Sequence, residues 1–286
     1  MKTDLKNRRT LIILLGLALS IILALVFVLY FISPSFFKPN EISYFHTKEI
    51  YQTKPGGRTW HLDATNPESD GIFLPGTVIT KLQDGSWLVS GAGRGDYQVR
   101  MDVITPPGQQ EWKNVEITGY VKVLRNTSND GSIDWYARGG RHSDDVPCEG
   151  TSLKGILNVN GMAEWKKEIW HTGGYTESRA VVSATPHSIL DRWIGWKVVM
   201  YNMKNNTAVK MESYIDENAN NNWRKISDLV DEGGWFANSS DKVFNSAHCN
   251  KPKDYIITNS GPIAAFRSDN IIWQFRDLSV REINIT

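Results

Sequence analysis

The chain has 286 residues, enough for one large domain or two small ones. Acids and bases nearly cancel to a formal net charge of +1, so there is no basic surplus to hold nucleic acid. Two cysteines exclude a disulfide-dense scaffold, and no Cys-x-x-Cys or His-x-x-x-His pair offers closely spaced zinc ligands.

The first element is Leu11 to Ile32, an uncharged apolar run of about the 20 residues that cross a bilayer as a helix. Lys2, Lys6, Arg8 and Arg9 precede it, whereas Ser33 to Glu41 carry only Lys38 and Glu41. The positive-inside rule then predicts a cytoplasmic segment 1–10, a transmembrane helix 11–32, a linker 33–45 containing Pro34 and Pro39, and an extracytoplasmic domain 46–286. A cleaved signal peptide would have a shorter apolar core of roughly 7–15 residues and a small-x-small site, which Phe31 to Phe37 does not provide. The reading is therefore a single-pass signal anchor in a cell membrane, with the bilayer as one partner.

An oxidising exterior makes a Cys148–Cys249 disulfide the expectation; two unrelated buried thiols are the alternative. Asn-x-Ser/Thr triplets at Asn126, Asn205, Asn238 and Asn284 suit a glycosylated surface.

From Glu41 onward the pattern is β: short β-branched and aromatic runs broken by Gly, Pro, Asn and Asp. Thr77–Leu82 and Ser86–Ser90 flank Asp84-Gly85, a hairpin signal. Tyr97–Thr105 alternates and stops at Pro106-Pro107. In Val115–Leu124 the set Val115, Ile117, Gly119, Val121 and Val123 is predicted to face the core. Ile133–Arg138 follows, then a hairpin of Gly155–Val159 and Met162–Ile169 across Asn160-Gly161. Ile194–Met203 pairs with Val209–Asp216. Trp223–Leu229 reads as a strand end or a helical turn, and Pro262–Phe266 and Ile271–Ile285 close the chain. The pattern predicts an all-β, two-sheet jelly-roll sandwich; two smaller sandwiches divided near Pro106–Glu111 are the alternative.

Ile133 to Tyr175 concentrates the residues that could carry chemistry. Trp135, Tyr136, Trp165 and Trp170 are candidate rings for stacking on sugar faces, or else core residues. Arg138, Arg141, His142 and His171 form the best polar cluster for an acidic polysaccharide, and Tyr136 or Tyr175 could act as acid or base. The bland alternative is that Arg138 and Arg141 pair with Asp144, Asp145 or Glu149 and that His142 is solvated. Asp216, Asn218, Asn220 and Asn222 alternate as calcium ligands would, without the Gly and Glu of a complete loop.

Several phrases resemble the concanavalin A-like lectin/glucanase superfamily of jelly-roll lectins, glucanases and polysaccharide lyases: Trp112–Val123, Asp191–Asn202, Val209–Trp235 and Phe266–Ile283. The resemblance covers most of the domain and rests on scaffold strands, so it implies the fold more than a reaction. The lyase branch's Gln-x-His and Tyr-Phe-Lys strands are absent. Glu164-Trp-Lys-Lys-Glu168 has the outer spacing of the glucanase motif but Lys166 at its centre. The resemblance requires no cofactor and allows a structural calcium.

Three functional classes follow. The first is a carbohydrate-engaging module for a polysaccharide or cell-surface glycan. The second is a lyase acting on uronates, and the third a structural or adhesion module of the envelope. A lyase needs His and Tyr converging beside cations; a binder needs exposed rings in line; a structural module buries both.

Overall fold

Alternating side chains decide which face of each strand is buried. In β6 (Val115–Asn126) the residues Val115, Ile117, Val121 and Val123 enter the main core, as the sequence pattern requires, while Tyr120 joins a separate cluster on the opposite face. The structure is a computed structural model that describes residues 47–63, 65–90 and 98–285. The segments 1–10, 11–32 and 33–45, and with them the expected membrane helix, lie outside the described residues.

The described strands make two antiparallel sheets packed face to face. The first has eight strands: β13 (Arg224–Asp231), β12 (Ala208–Asp216), β11 (Trp193–Met203), β6, β15 (Ile271–Glu282), β4 (Trp87–Val89) and β3 (Ile79–Lys81) in that order, with β1 (Thr59–His61) also pairing β15. The second has seven: β10 (Arg179–Ser183), β9 (Met162–Glu168), β8 (Ser152–Asn158), β7 (Ser132–Gly139), β14 (Ile263–Asp269), β5 (Val99–Ile104) and β2 (Phe73–Leu74). The all-β two-sheet sandwich expected from the sequence is thus what the chain forms. One compact unit includes every described residue, so the division near Pro106–Glu111 does not exist.

The expected hairpins form across Asp84-Gly85 and Asn160-Gly161, where Gly85 and Gly161 have φ of 84° and 89°. Trp223–Leu229 resolves as the strand β13. The edge strands β1, β2 and β10 are too short or too irregular to show an alternation. The five-residue helix Asp241–Asn245 is likewise set locally: the Ser240 hydroxyl accepts a hydrogen bond from the Val243 amide, and Phe244 packs on Trp170 at 4.0 Å between ring centroids.

Of the two readings of the tryptophans, sugar platforms or core residues, the structure takes the second. Trp135 and Trp165 are fully buried and Trp170 is 1% exposed. Trp135 meets Phe266 edge to face at 5.0 Å, and Trp165 donates to the Ser227 hydroxyl across the sandwich at 3.2 Å. Strand parity explains this: Ile133, Trp135 and Ala137 share the inward face of β7. Glycines on a facing strand (Gly119) and on the neighbouring strand (Gly155) make the room. A Cβ on Gly119 would lie 2.4 Å from Leu278 and 3.1 Å from the Trp135 ring, and one on Gly155 would lie 2.4 Å from Val198 and 3.3 Å from Trp165.

The Cys148–Cys249 disulfide forms, with Cα atoms 5.4 Å apart across a separation of 101 residues. It ties the loop after β7 to the segment that follows the short helix. For a loop of this length the chain-entropy model gives about 4.7 kcal/mol.

Two stability measurements check this packing. Gly119→Ala overpacks the Trp135 contact and is expected to cost about 1–3 kcal/mol in urea unfolding. Reduction of the disulfide is expected to cost about 2–5 kcal/mol in the same assay.

Candidate functional site on the outer face of the seven-stranded sheet

The strand registers define rows of side chains on the face of this sheet that points away from the core. One row reads Arg100, Arg267, Asp134, Ile156, Glu164 across β5, β14, β7, β8 and β9. The next reads Asp102, Ala265, Tyr136, Lys154, Lys166. Beside it Ser152 of β8 pairs with Glu168 at the end of β9. The face therefore carries two arginines on one side and two lysines on the other, with Asp134 and Tyr136 between them.

Two loops bring further groups over these rows. The loop after β7 carries His142, whose ring lies 5.1 Å from that of Tyr136. The segment after β9 carries His171 and Tyr175, and Glu168 makes a bridge to Tyr175. All of them converge on the buried Glu168 carboxylate. Lys154 Nζ lies 2.5 Å from Glu168 Oε2, and the Ser152 hydroxyl donates to the same oxygen at 3.3 Å. The other oxygen, Oε1, is shared by His142 Nδ1 at 3.1 Å and His171 Nδ1 at 3.2 Å. The Tyr175 hydroxyl lies 3.2 Å from His171 Nδ1. Lys154 also stands over the rings of Tyr136 at 5.6 Å and Tyr175 at 5.1 Å.

Burial alone would raise the Glu168 carboxyl, but Lys154 and the two imidazoles hold it well below the usual carboxylate range. Burial lowers the pKa of His142 and of Lys154, each partly offset by Glu168. Burial and the Glu168 charge push the Tyr175 phenol up, which keeps it a proton donor. Along the rows, burial raises Asp102 to about 6, and burial with the neighbouring Asp269 raises Asp134 to about 6. His171, with its side chain 24% exposed, and Lys166, at 42%, are the accessible members, whereas the His142 side chain is 2% exposed.

The structure thus brings three of the five candidate polar residues together: His142, His171 and Tyr175. Arg138 is elsewhere. It sits at φ 75° and is fully buried, donating to the carbonyls of Lys113 and Ile257 at 2.9 and 2.7 Å and to the side-chain oxygens of Asn202 and Asn114. Burial lowers its pKa to about 9, and its hydrogen bonds tie loops together away from this cluster. Arg141 is exposed and forms a bidentate pair with Glu149, as the bland reading has it. Tyr136 belongs to the outer face but is 1% exposed, so it supports the cluster and offers no stacking surface. Sequence reading missed Lys154, Arg100 and Arg267. It saw Glu168 only as half of a glycosidase pair, whereas the structure places it, fully buried, in an ion pair with Lys154. Glu164 is tied to Lys166 at 3.6 Å.

The outer face of the other sheet is charged as well, but the chain itself occupies it. Lys197 donates to Glu116 and to the Lys48 carbonyl at 2.6 Å each, Arg281 pairs with Glu116 and Glu49, and Tyr51 donates to Glu212 at 3.0 Å.

In the Asp216–Asn222 loop, Asp216 Oδ2 accepts from the Asn221 amide and Asn220 Oδ1 from the Asn222 amide, so turn hydrogen bonds use these oxygens; Asp216 Oδ1 is buried without a hydrogen bond. Among the four Asn-x-Ser/Thr sites, Asn205 and Asn238 are exposed, and Asn126 and Asn284 are partly buried.

No family model matches the chain, and no curated protein matches it. Solved structures resemble it in architecture. They include a protein of unknown function with a galectin-like fold from Bacillus subtilis, 11% identical over 82% of this chain and 100% of that one, with a TM-score of 0.48. The VIP36 exoplasmic/lumenal domain is 11% identical over 75% and 84% of the two chains, with a TM-score of 0.44. The carbohydrate-binding module CBM66 from Bacillus subtilis is 7% identical over 73% and 95%, with a TM-score of 0.40. At these scores they carry no inference about what this chain binds.

The raised pKa of Asp102 has a measurable consequence. Between 3.8 and about 6 the folded state keeps a proton that the unfolded chain has released, so the stability that Asp102 contributes falls as pH rises through that window. Asp102→Asn removes the dependence. Relative to the native chain, the variant is expected to gain on the order of 2 kcal/mol between pH 4 and pH 6, read by denaturant unfolding at several pH values.

Proposed function

We propose that the outer face of the seven-stranded sheet engages acidic carbohydrate, in a domain held outside a membrane by residues 11–32. The observation that carries this reading is the arrangement of Arg100 and Arg267 on one side and Lys154 and Lys166 on the other, with His171 and Tyr175 at the accessible edge. Arg267 and Lys154 stand two strand spacings and one row apart, about 12 Å between backbone positions, a span comparable to two sugar residues. Arg267 and Lys154 are paired with Asp269 and Glu168, so the partly exposed Arg100 and Lys166 are the cations that take uronate carboxylates. The buried tryptophans supply no stacking surface, so recognition on this face is polar and charged.

A second reading is favoured by one feature, the Glu168–His171–Tyr175 cluster. It makes the face that of a uronate lyase. Glu168 orients the His171 imidazole as the base that removes the C5 proton, and a cation neutralises the adjacent carboxylate. The bond from C4 to the leaving oxygen breaks, that oxygen takes the Tyr175 proton, and an unsaturated uronate end remains.

The full-length protein incubated with uronate-containing and neutral polysaccharides tests both readings. Retention on immobilised polyuronate but not on neutral polymers is expected. If the lyase reading holds, ultraviolet absorbance from unsaturated ends rises in parallel and falls by about 100-fold or more in His171→Ala and Tyr175→Phe. Retention without absorbance leaves a binding module. No retention on any charged glycan contradicts the proposal and favours a structural role.

A further inference from the structure

His142, Glu168 and His171 point three ligand atoms at one place, all within 4.8 Å of one another. The geometry points to a transition-metal site here, with His142 Nδ1, His171 Nδ1 and Glu168 Oε1 as ligands for one zinc-like divalent ion. The site stands whether or not the face binds glycan.

The distances carry the first part of the argument. A metal with bonds of about 2.0–2.1 Å in tetrahedral geometry separates its ligands by about 3.3 Å. The two imidazole nitrogens lie 3.1 and 3.2 Å from the same carboxylate oxygen, close to two edges of such a tetrahedron, and within 4.8 Å of each other. Two neutral imidazoles and one carboxylate are the donor set of a borderline metal such as Zn2+ or Co2+, while Ca2+ and Mg2+ prefer oxygen ligands. Three protein ligands leave one position open on the side of the Tyr175 hydroxyl, as in sites where the metal meets water or substrate.

The surroundings carry the second part. Lys154 and Ser152 engage Glu168 Oε2, which fixes the carboxylate and leaves Oε1 toward the imidazoles. When Nδ1 binds a metal, the ring hydrogen sits on Nε2 and needs an acceptor outside the site. The Asp144 carboxylate lies 3.8 Å from His171 Nε2, held by a hydrogen bond from Thr172. That distance is an ion-pair contact and not a hydrogen bond, and His142 Nε2 is buried with no hydrogen-bond partner among the described residues, so the imidazoles' outer acceptors are not in place. Lys154 opposes the ion's charge, and the Glu168 and Asp134 carboxylates offset Lys154.

The sequence concealed the site because its three ligands are Glu168-x-x-His171 on one segment and His142 on another, 26 residues before Glu168. No local spacing links the two histidines.

The test uses full-length protein stripped with a chelator and titrated with Co2+ and, separately, with Zn2+. One equivalent is expected to bind, with visible ligand-field absorption for Co2+ and a rise in melting temperature for both. Excess Ca2+ is expected to leave that spectrum unchanged. His171→Ala, at a partly exposed position, is expected to abolish the Co2+ spectrum while near-ultraviolet circular dichroism shows the sandwich intact. His187→Ala and His248→Ala, at exposed histidines elsewhere, are expected to change nothing. The assignment is overturned if neither metal binds stoichiometrically. Binding that survives His171→Ala overturns it too, because that metal would sit on surface groups only.

Discussion

A buried carboxylate organises the outer face of the seven-stranded sheet. Glu168 ends β9 with its side chain fully enclosed, and an isolated charge there would be too costly to keep. Lys154 compensates it from the neighbouring strand, and two imidazoles share the oxygen that Lys154 leaves free. The positions of two loops follow from this demand. The loop after β7 must bring His142 inward, and the turn after β9 must fold back so that His171 and Tyr175 reach the same point. The disulfide holds the first loop by Cys148, six residues beyond His142.

The two outer faces of the sandwich show what such a charge cluster can be for. On the eight-stranded sheet, Glu116, Lys197 and Arg281 form a network that is comparably buried, and the segment around Lys48–Tyr51 supplies its remaining partners. Each charge there is answered by the chain, which makes the network a clasp. On the seven-stranded sheet the groups remain unevenly satisfied. Asp102 Oδ1 and His142 Nε2 are buried without hydrogen bonds, and Lys166 and His171 keep a path to solvent. An orphaned carboxylate oxygen also occurs on the other face, at Asp216, so the accessible histidine and lysine are what set this face apart.

Much of the sandwich was legible in the sequence because alternation survives wherever a strand has one buried face. β6, β11 and β12 were located to within a residue or two for that reason. The site was only partly legible. Residue type and proximity drew attention to His142, His171 and Tyr175, and the fold does unite them. Parity, however, sends Trp135 inward and Tyr136 outward, so adjacent aromatic residues have opposite fates. Arg138 departs from both patterns because its backbone turns to positive φ where the strand ends, which swings the guanidinium away from the face. Arg100, Lys154 and Arg267 were invisible because only strand pairing, across gaps of 54 and 113 residues between successive positions, sets them in neighbouring rows.

The claim that matters most is that one face of the sandwich is the working surface and the other is not. Charge reversal separates the two faces directly. Affinity for a soluble polyuronate oligomer would be measured for the native full-length protein and for Arg100→Glu, Lys166→Glu and, on the eight-stranded sheet's outer face, Lys122→Glu. The first two substitutions are predicted to weaken binding by roughly tenfold or more each, about 1.4 kcal/mol, while Lys122→Glu leaves it within twofold. Equal losses from all three, or a loss confined to Lys122→Glu, would contradict the assignment of the face.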